Sequence, residues 1–442
     1  MCGIFGVYNA KKAAELTVIG LHGNQHRAID YAGIVTSDGR NLHRERGLGL
    51  ARQVFDKVTL NRLHGMHAVG HIRYPTVTDD AHRDNIQPLL GVYGRGQIAL
   101  AHNGNLTNRA ELEQLLITPI LATSIESELI LRLLEERQTG DIVADLTRIF
   151  SLLKGSYCLG ILLPDRLIAV RDRSGSHPLS IGRQNGSYFI SSETVAFGGL
   201  DASFVRDVES GEMVVIDQEG MHMHRFADKA EKKCRFEGNY FSHPSSTVFG
   251  EPVAEYRRIL GRALEEHCPA HGADIVAPVP DSSIFIARGY AESGRSGKYN
   301  PVIVRSHYVG RTFIAATQAK RDEEVAQKFS FTPPDIAGKK IVVVDDSIVR
   351  GTTLPIIVRK LREYGAHEVH LRIASPPIMH PCLYGINTPD RGKLISAQLP
   401  AAHICSAIGA DSLLFLPLEV QRKISPNPES FCFACMDGKY WH

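Results

Sequence analysis

The sequence predicts two α/β units in series, a layered α+β domain followed by a domain built on a parallel sheet. Its 442 residues, at roughly 150 per domain, make two or three domains, and large α/β units make it two. The first half carries short apolar, β-branched runs split by Gly, Asn and Asp, with helical stretches between them, as a layered domain should. The second half alternates strand with helix, which implies a parallel sheet with crossover helices.

In chain order, strands are predicted over 3–8, 68–72, 97–102, 155–163, 167–171, 188–192 and 213–217. Helices are predicted over 108–116 and 126–135. Ser124 precedes the second, with Ser127 and Glu128 in its first turn, as at a capped N-terminus. A polar stretch at 225–235 marks a linker, and its run Lys229-Ala230-Glu231-Lys232-Lys233 reads as a solvated surface. Beyond it, strands over 274–279, 340–344 and 369–373 alternate with helices over 283–291 and 354–364. Ligands in such sheets bind beyond the C-terminal ends of the strands.

Composition excludes several classes. Hydrophobic residues are 43% and charged residues 22%, so a large core forms and disorder is not the main state. Fifty Lys and Arg against 48 Asp and Glu leave a net charge of +2, no basis for nucleic acid or an anionic membrane as main partner. The longest apolar runs, such as 159–164 and 413–417, fall far short of the roughly 18 residues of a spanning helix. The start, Met1-Cys2-Gly3-Ile4-Phe5-Gly6, lacks the basic and apolar regions of a signal peptide. The expectation is a soluble, cytoplasmic protein. Eight cysteines are too few for a disulfide scaffold at this length, and in a reducing compartment clustered thiols read as metal ligands or catalysts.

Removal of Met1 would make Cys2 the first residue. A terminal cysteine carries its own base: α-amines titrate near about 8 and thiols near about 8.5, so the amine can take the thiol proton at neutral pH, directly or through a water. Alone, such a cysteine reads as a small buried hydrophobe. Its company says more: Gln25-His26-Arg27, Gly70-His71-Ile72-Arg73-Tyr74-Pro75-Thr76 and Ala101-His102-Asn103-Gly104-Asn105-Leu106 follow in order. Thiolate attack on a carboxamide makes a tetrahedral oxyanion that needs fixed donors. A guanidinium fork can clamp an α-carboxylate. Together these motifs resemble the N-terminal-nucleophile (class II) glutamine amidotransferases. The resemblance implies Cys2 as nucleophile, with the Asn103 side chain and the Gly104 N–H as oxyanion hole. It implies Arg73 on the α-carboxylate of glutamine, with Thr76, Arg27 and Glu126 as further glutamine-binding residues.

A second motif is Ile341-Val342-Val343-Val344-Asp345-Asp346-Ser347-Ile348-Val349-Arg350-Gly351-Thr352-Thr353, a buried strand opening into a small polar loop before a helix. Backbone N–H groups and hydroxyls there can cradle a phosphate, aided by about half a positive charge at the helix start. Two acids beside that phosphate make sense if they bind ribose hydroxyls or Mg²⁺. The pattern resembles the phosphoribosyl-diphosphate (PRPP) loop of type I phosphoribosyltransferases. By that resemblance Asp345, Asp346, Ser347, Arg350, Gly351, Thr352 and Thr353 bind PRPP, and Pro278-Val279-Pro280-Asp281-Ser282 supplies a pyrophosphate loop through Asp281 and Ser282. Mg²⁺ falls to Ser282, Asp345 and Asp346. The segment from Tyr308 to Lys328 resembles the family's mobile loop, whose Arg311, Lys320, Arg321 and Lys328 close over the diphosphate and keep water from the ribosyl cation.

Cys432-Phe433-Ala434-Cys435 is a CxxC, and Cys234 and Cys382 could complete a four-thiolate set. Spacing alone leaves a 4Fe–4S cluster and Cys₄ zinc both open. Cys158, Cys268 and Cys405 read as core residues.

Taken end to end, the chain resembles the amidophosphoribosyltransferases, one branch of which carries a 4Fe–4S cluster on cysteines in these contexts. The resemblance implies an N-terminal-nucleophile αββα sandwich over 2–224, a linker over 225–245 with the first cluster cysteine, a phosphoribosyltransferase domain over 246–415 and a tail over 416–442 with the CxxC. It implies that glutamine is hydrolysed and its ammonia channelled to C1 of PRPP, giving 5-phosphoribosylamine, glutamate and diphosphate, the first step of purine synthesis. It also implies a homo-oligomer, a tetramer by analogy, with purine nucleotides as feedback inhibitors.

The departures gather in the first half. Ala28-Ile29 replaces the usual Gly-Gln, Val77-Thr78-Asp79-Asp80 a Gly/Ser-rich turn, and Glu126 the usual Asp on the substrate amine; in the second half Ser306-His307 replaces Asn-Arg. Cys2, Arg73, Asn103 and Gly104 all stand, so the expectation is a working glutaminase. The alternatives are an ammonia-dependent transferase with an impaired glutaminase, a non-catalytic PRPP-sensing regulator, and another class II amidotransferase. The regulator should carry a DNA-binding extension and a basic face, whereas this chain shows a glutaminase half and a net charge of +2. The phosphate loop at Asp345 argues against the last.

Overall fold

The computed structural model describes residues 2–74, 83–118, 121–306 and 328–441. Thr76, Arg311, Lys320 and Arg321 lie outside the described residues.

The first half forms strands β1 (Gly3–Tyr8), β2 (Tyr31–Ser37), β3 (Leu42–Leu48), β4 (His67–Arg73), β5 (Leu89–Tyr93), β6 (Gly96–Leu106), β7 (Gly155–Leu163), β8 (Arg166–Arg171), β9 (Ser180–Gln184), β10 (Ser187–Ser191), β11 (Ser203–Asp207), β12 (Glu212–Asp217) and β13 (Gly220–Arg225). They make two antiparallel sheets, ordered β11-β9-β10-β1-β4-β2-β3 and β13-β12-β8-β7-β6-β5. Side chains alternate between sheet faces. Ile4, Val69 and Ile190 of one sheet meet Ala99, Leu162 and Ala169 of the other in a shared core. The next residue along β1, Phe5, points outward to the helix Ala13–Gly23. Leu100 and Leu159 point outward from the second sheet to the helices Glu126–Arg137 and Ile142–Phe150. The layers are thus helix, sheet, sheet, helix. Central strands with both faces covered, β1 and β7, are buried at every residue.

Three two-residue strands follow, β14 (Lys233–Cys234), β15 (Thr247–Val248) and β16 (Glu251–Pro252). Then come β17 (Ile275–Pro278), β18 (Lys298–Tyr299), β19 (Ile303–Arg305), β20 (Phe329–Phe331), β21 (Lys340–Asp345), β22 (Glu368–Ile373) and β23 (Ser412–Phe415). The order β18-β17-β21-β22-β23 is a parallel sheet. Its two faces are covered separately. Ile341, Val343 and Leu371 pack on the helices Leu354–Glu363 and Ala401–Ile408, and Val276, Val342 and Val344 pack on Val253–His267 and Ile284–Ala291. A continuous apolar run such as 341–344 is what burial on both faces requires.

Three local expectations need correction. Ser124 does not cap its helix: its hydroxyl accepts from Asn85 Nδ2 at 2.8 Å, while the Glu128 carboxylate takes the N–H groups of Ala122 and Thr123. The helix expected over 108–116 shortens to Arg109–Glu113. The linker is solvated only in part. Lys229 and Ala230 are exposed, but Ala230, Lys232 and Cys234 donate N–H bonds to the carbonyls of Arg173, Ser174 and Ser176. Buried Arg235 then lies 3.5 Å over Tyr256 and 4.5 Å over Phe431. Cys158 and Cys268 are core residues, whereas Cys405 sits half-buried at the core edge. Among the described residues, no helix is long and apolar enough to cross a membrane.

Candidate active sites

Cys2 leads into β1 and meets β6 of the facing sheet. Its N–H donates to Asn103 Oδ1 at 3.1 Å. That bond fixes the amide orientation and leaves Asn103 Nδ2 buried with no hydrogen-bond partner. An unmade bond of this kind costs about 1–3 kcal/mol, so the donor stands uncommitted beside the Cys2 backbone. Gly104 has φ +148°, and a Cβ there would stand 2.1 Å from the Ser156 carbonyl oxygen, so only glycine fits. Arg73 ends β4 and donates to the Asn85 carbonyl at 2.6 Å. Glu126 opens its helix and accepts the Leu106 N–H at 3.0 Å, which ties it to the end of the Asn103–Gly104 strand. Ala28, in place of the expected Gly, has φ −158° and ψ 147°, extended backbone open to any side chain.

Arg27 is placed differently from the expectation that it binds glutamine. Its guanidinium is fully enclosed and its donors are committed. Nε donates to the Cys2 carbonyl at 2.9 Å, Nη1 to Glu193 and to Glu237 at 3.1 Å, and Nη2 to Glu237 at 2.7 Å. Arg27 therefore anchors the backbone of Cys2. His177 Nδ1 also meets Glu237, at 3.1 Å. Burial alone would raise the two carboxylates, but the charges facing them win: His26 and Arg27 hold Glu193, and Arg27 and His177 hold Glu237, well below the usual range.

In the second half, Asp345 ends β21 and Asp346 follows, both buried. Asp345 Oδ1 accepts from Ser283 Oγ at 3.0 Å and from the Asp346 N–H at 2.9 Å. Asp346 accepts from Ser282 Oγ and from Ser347 Oγ, both at 2.6 Å. Burial raises both carboxyls, and the Asp346 charge raises Asp345 further. Two adjoining carboxylates with hydroxyl neighbours make an all-oxygen donor set of a kind that suits Mg²⁺. Asp281 pairs with Arg305 Nη1 at 2.7 Å at the end of β17's loop. Gly351 has φ +68°, Arg350 and Thr352 are exposed, and the Thr353 hydroxyl does not cap the helix that follows. Lys328 is exposed, its ammonium 5.6 Å over the Phe329 ring.

Cys234, Cys382, Cys432 and Cys435 are free thiols lining one small cavity, with Phe236, Ile378 and Ile386. Parallel pairing of Cys234 with Cys432 brings linker and tail together there. Burial pushes all four thiols up, Cys432 to about 11. The Tyr384 N–H donates to Cys382 Sγ at 3.3 Å. Among the described residues, no three His, Cys, Asp or Glu side chains stand as close as the ligands of one ion do. Cluster thiolates each bind a different iron and stand farther apart.

Comparison with known proteins places the chain in a family. A glutamine amidotransferase domain model matches residues 71–198. The amidophosphoribosyltransferase of Bacillus subtilis is 41% identical over 99% of this chain and 94% of its own length. That of Methanocaldococcus jannaschii is 39% identical over 100% and 97%. The chain belongs to the amidophosphoribosyltransferases. A structure described as the allosteric regulatory enzyme of purine biosynthesis superposes with a TM-score of 0.93, at 41% identity over 99% of this chain and 96% of that one. The B. subtilis glutamine PRPP amidotransferase, complexed with ADP and GMP, gives 0.91 at 40% identity over 99% and 97%. As a member of this family the protein is a glutamine amidotransferase and phosphoribosyltransferase of purine biosynthesis.

Two buried histidines of the glutaminase half give this amidophosphoribosyltransferase a pH-dependent stability. His71 and His102, both within the quoted motifs but given no role, are buried, and His71 Nε2 bonds the His102 carbonyl at 3.0 Å. Burial lowers both to about 3, helped by Arg73 for His71 and by His71 for His102. The unfolded chain would protonate them near pH 6.5. Stability is therefore whole above that pH and is lost as pH falls toward 3, by up to roughly 5 kcal/mol for each histidine. Calorimetry should find Tm flat from pH 8 to 7 and falling steeply below about 6.5. A Tm unchanged down to pH 5 would contradict neutral burial of this pair. Glu193 and Glu237 were also missed, since no local pattern marks a residue whose partner lies 166 or 210 positions away.

Proposed function

We propose that Cys2, freed of Met1, is the glutaminase nucleophile, with Asn103 Nδ2 and the Gly104 N–H stabilising the oxyanion. The single observation that carries this is the buried, unpartnered Asn103 amide beside the Cys2 backbone. The Cys2 amine takes the thiol proton and later delivers it to the leaving ammonia. Arg73 and Glu126 supply opposite charges for the two ends of the amino acid, and Thr76 completes the set. Ammonia then reaches C1 of PRPP, held by Asp281, Ser282 and the loop from Asp345 to Thr353, with Arg311 and Lys328 on the diphosphate. Ser282, Asp345 and Asp346 would hold Mg²⁺, which when bound neutralises the diphosphate leaving group. Two of the departures favour retained glutamine use: Ala28 is unstrained extended backbone, and Glu126 is bonded to the end of the Asn103–Gly104 strand, while residues 77–80 and His307 lie outside the described residues. Purified protein should release glutamate from glutamine, faster when PRPP and Mg²⁺ are added. Diphosphate release with ammonia but no glutamate release would leave only the transferase half.

Cys234, Cys382, Cys432 and Cys435 fit a 4Fe–4S cluster better than zinc, because zinc draws four sulfurs to about 2.3 Å of one ion. Its role would be to staple the tail to the linker. Anaerobically purified protein should contain iron and acid-labile sulfide in equal amounts, and Cys432→Ser should lose both and lower Tm. Stoichiometric zinc without sulfide would overturn this assignment. The reading extends to a cytoplasmic homo-oligomer held in check by purine nucleotides, supported by the ADP and GMP of the B. subtilis relative.

A further inference from the structure

Arg257, on the helix Val253–His267, is buried with no carboxylate in contact. Among the described residues its hydrogen bonds all go to backbone carbonyls. Nε donates to Gly238 at 3.0 Å, Nη2 to Tyr240 at 2.8 Å and Ser242 at 2.9 Å, and Nη1 reaches Ser282 at 3.5 Å. A buried cation without a contacting anion is costly, and an apolar side chain of similar volume would fill the space more cheaply. Packing therefore does not explain it.

Its contacts run two ways. Ser282 carries the hydroxyl that donates to Asp346 at 2.6 Å. Gly238, Tyr240 and Ser242 belong to, or directly follow, the π-helical turn Glu237–Phe241, a rare geometry that recurs at functional positions. That turn begins with Glu237, which accepts from Arg27, and Arg27 holds the Cys2 carbonyl. The far end of the turn is clamped as well: the His243 N–H at 2.8 Å and Ser246 Oγ at 2.7 Å both donate to Glu193, the other partner of Arg27. Burial pulls the Arg257 pKa down, and the acids that draw it back up are Asp346 and then Glu193, one from each site.

We propose that Arg257 is a positioning residue that couples the two sites. A shift of the Ser282–Asp346 loop on PRPP binding moves Arg257 and the turn Glu237–Phe241, and the turn resets Arg27 beneath Cys2. The hydrogen bonds form one continuous path from Ser282 through Arg257 and the turn to Arg27 and Cys2. The proposal rests on reading the Asp345 loop as the PRPP site and Cys2 as the nucleophile.

The test is Arg257→Lys in the full-length protein, which keeps the charge but loses the fork that spans four carbonyls. Kcat/KM for glutamine is measured with and without PRPP and Mg²⁺, beside ammonia-dependent diphosphate release. PRPP stimulation should fall by about tenfold or more, an ordinary coupling strength, with KM for glutamine in the presence of PRPP returning to its PRPP-free value. PRPP-free glutamine hydrolysis and ammonia-dependent turnover should stay within about threefold. Stimulation equal to wild type would overturn the proposal. Should the variant not fold, amide exchange in the wild type decides. Added PRPP and Mg²⁺ should slow exchange at 236–246 and 2–8 as well as at 345–353. Protection confined to 345–353 would overturn the relay alone, whereas none at 345–353 would overturn the PRPP reading and the relay with it.

Discussion

Cys2→Ala is expected to lower glutamate release by about 10⁴-fold or more, the scale seen when a nucleophile is deleted, while ammonia-dependent diphosphate release stays within about twofold of wild type. The asymmetry follows from the fold. Cys2 immediately precedes β1 in the antiparallel half, and its side chain takes no part in the packing of the parallel sheet that carries Asp345. The smaller side chain leaves the Asn103 bond to the backbone N–H intact, so the oxyanion hole survives with nothing to attack. Steady-state assays of glutamate and diphosphate on the same preparation check it. Equal loss of both activities would mean that Cys2 supports the fold and is not the nucleophile.

Asp345→Asn should move activity and stability in opposite directions. Diphosphate release is expected to drop on the order of 10²–10³-fold, the loss typical when one electrostatic group is withdrawn from a preorganised site. Tm should rise. An acid whose folded pKa lies above its unfolded value destabilises the folded state at neutral pH, where the unfolded chain ionises freely. Asparagine removes the repulsion with Asp346, and its Oδ1 can still accept from Ser283 Oγ and the Asp346 N–H. A site that trades stability for function behaves this way. Diphosphate release and thermal denaturation measured without Mg²⁺ separate the two effects. A fall in Tm together with activity would mean that the acid pair serves the fold.

Much of this was legible in the sequence because its physics is local. β1, β7 and β21 are apolar runs whose length and flanking turns suffice, and the loops at Asn103 and Asp345 concentrate their chemistry within a few residues. β3 and β13 escaped notice. Leu42–Leu48 carries His43, Arg44, Glu45 and Arg46 at an edge, and Gly220–Arg225 carries two histidines at another, so neither shows an apolar period. The setting of Arg27 was hidden for a different reason. Its motif places it near Cys2, but its partners come from Glu193 and Glu237, just beyond β10 and in the linker. Ser124 carried a cap signal that Asn85, brought in by tertiary packing, overrode. The four cysteines were visible as residues, while their convergence needed the parallel pairing of linker and tail.

The central claim is that one chain moves the amide nitrogen of glutamine to C1 of PRPP. Its most direct measurement supplies amide-¹⁵N-glutamine with PRPP and Mg²⁺ in an excess of unlabelled ammonia, traps the phosphoribosylamine and reads its isotope by mass spectrometry. Predominantly ¹⁵N product, formed in step with glutamate and diphosphate, is the result this account predicts. Unlabelled product, with glutamate released independently of diphosphate, would contradict it.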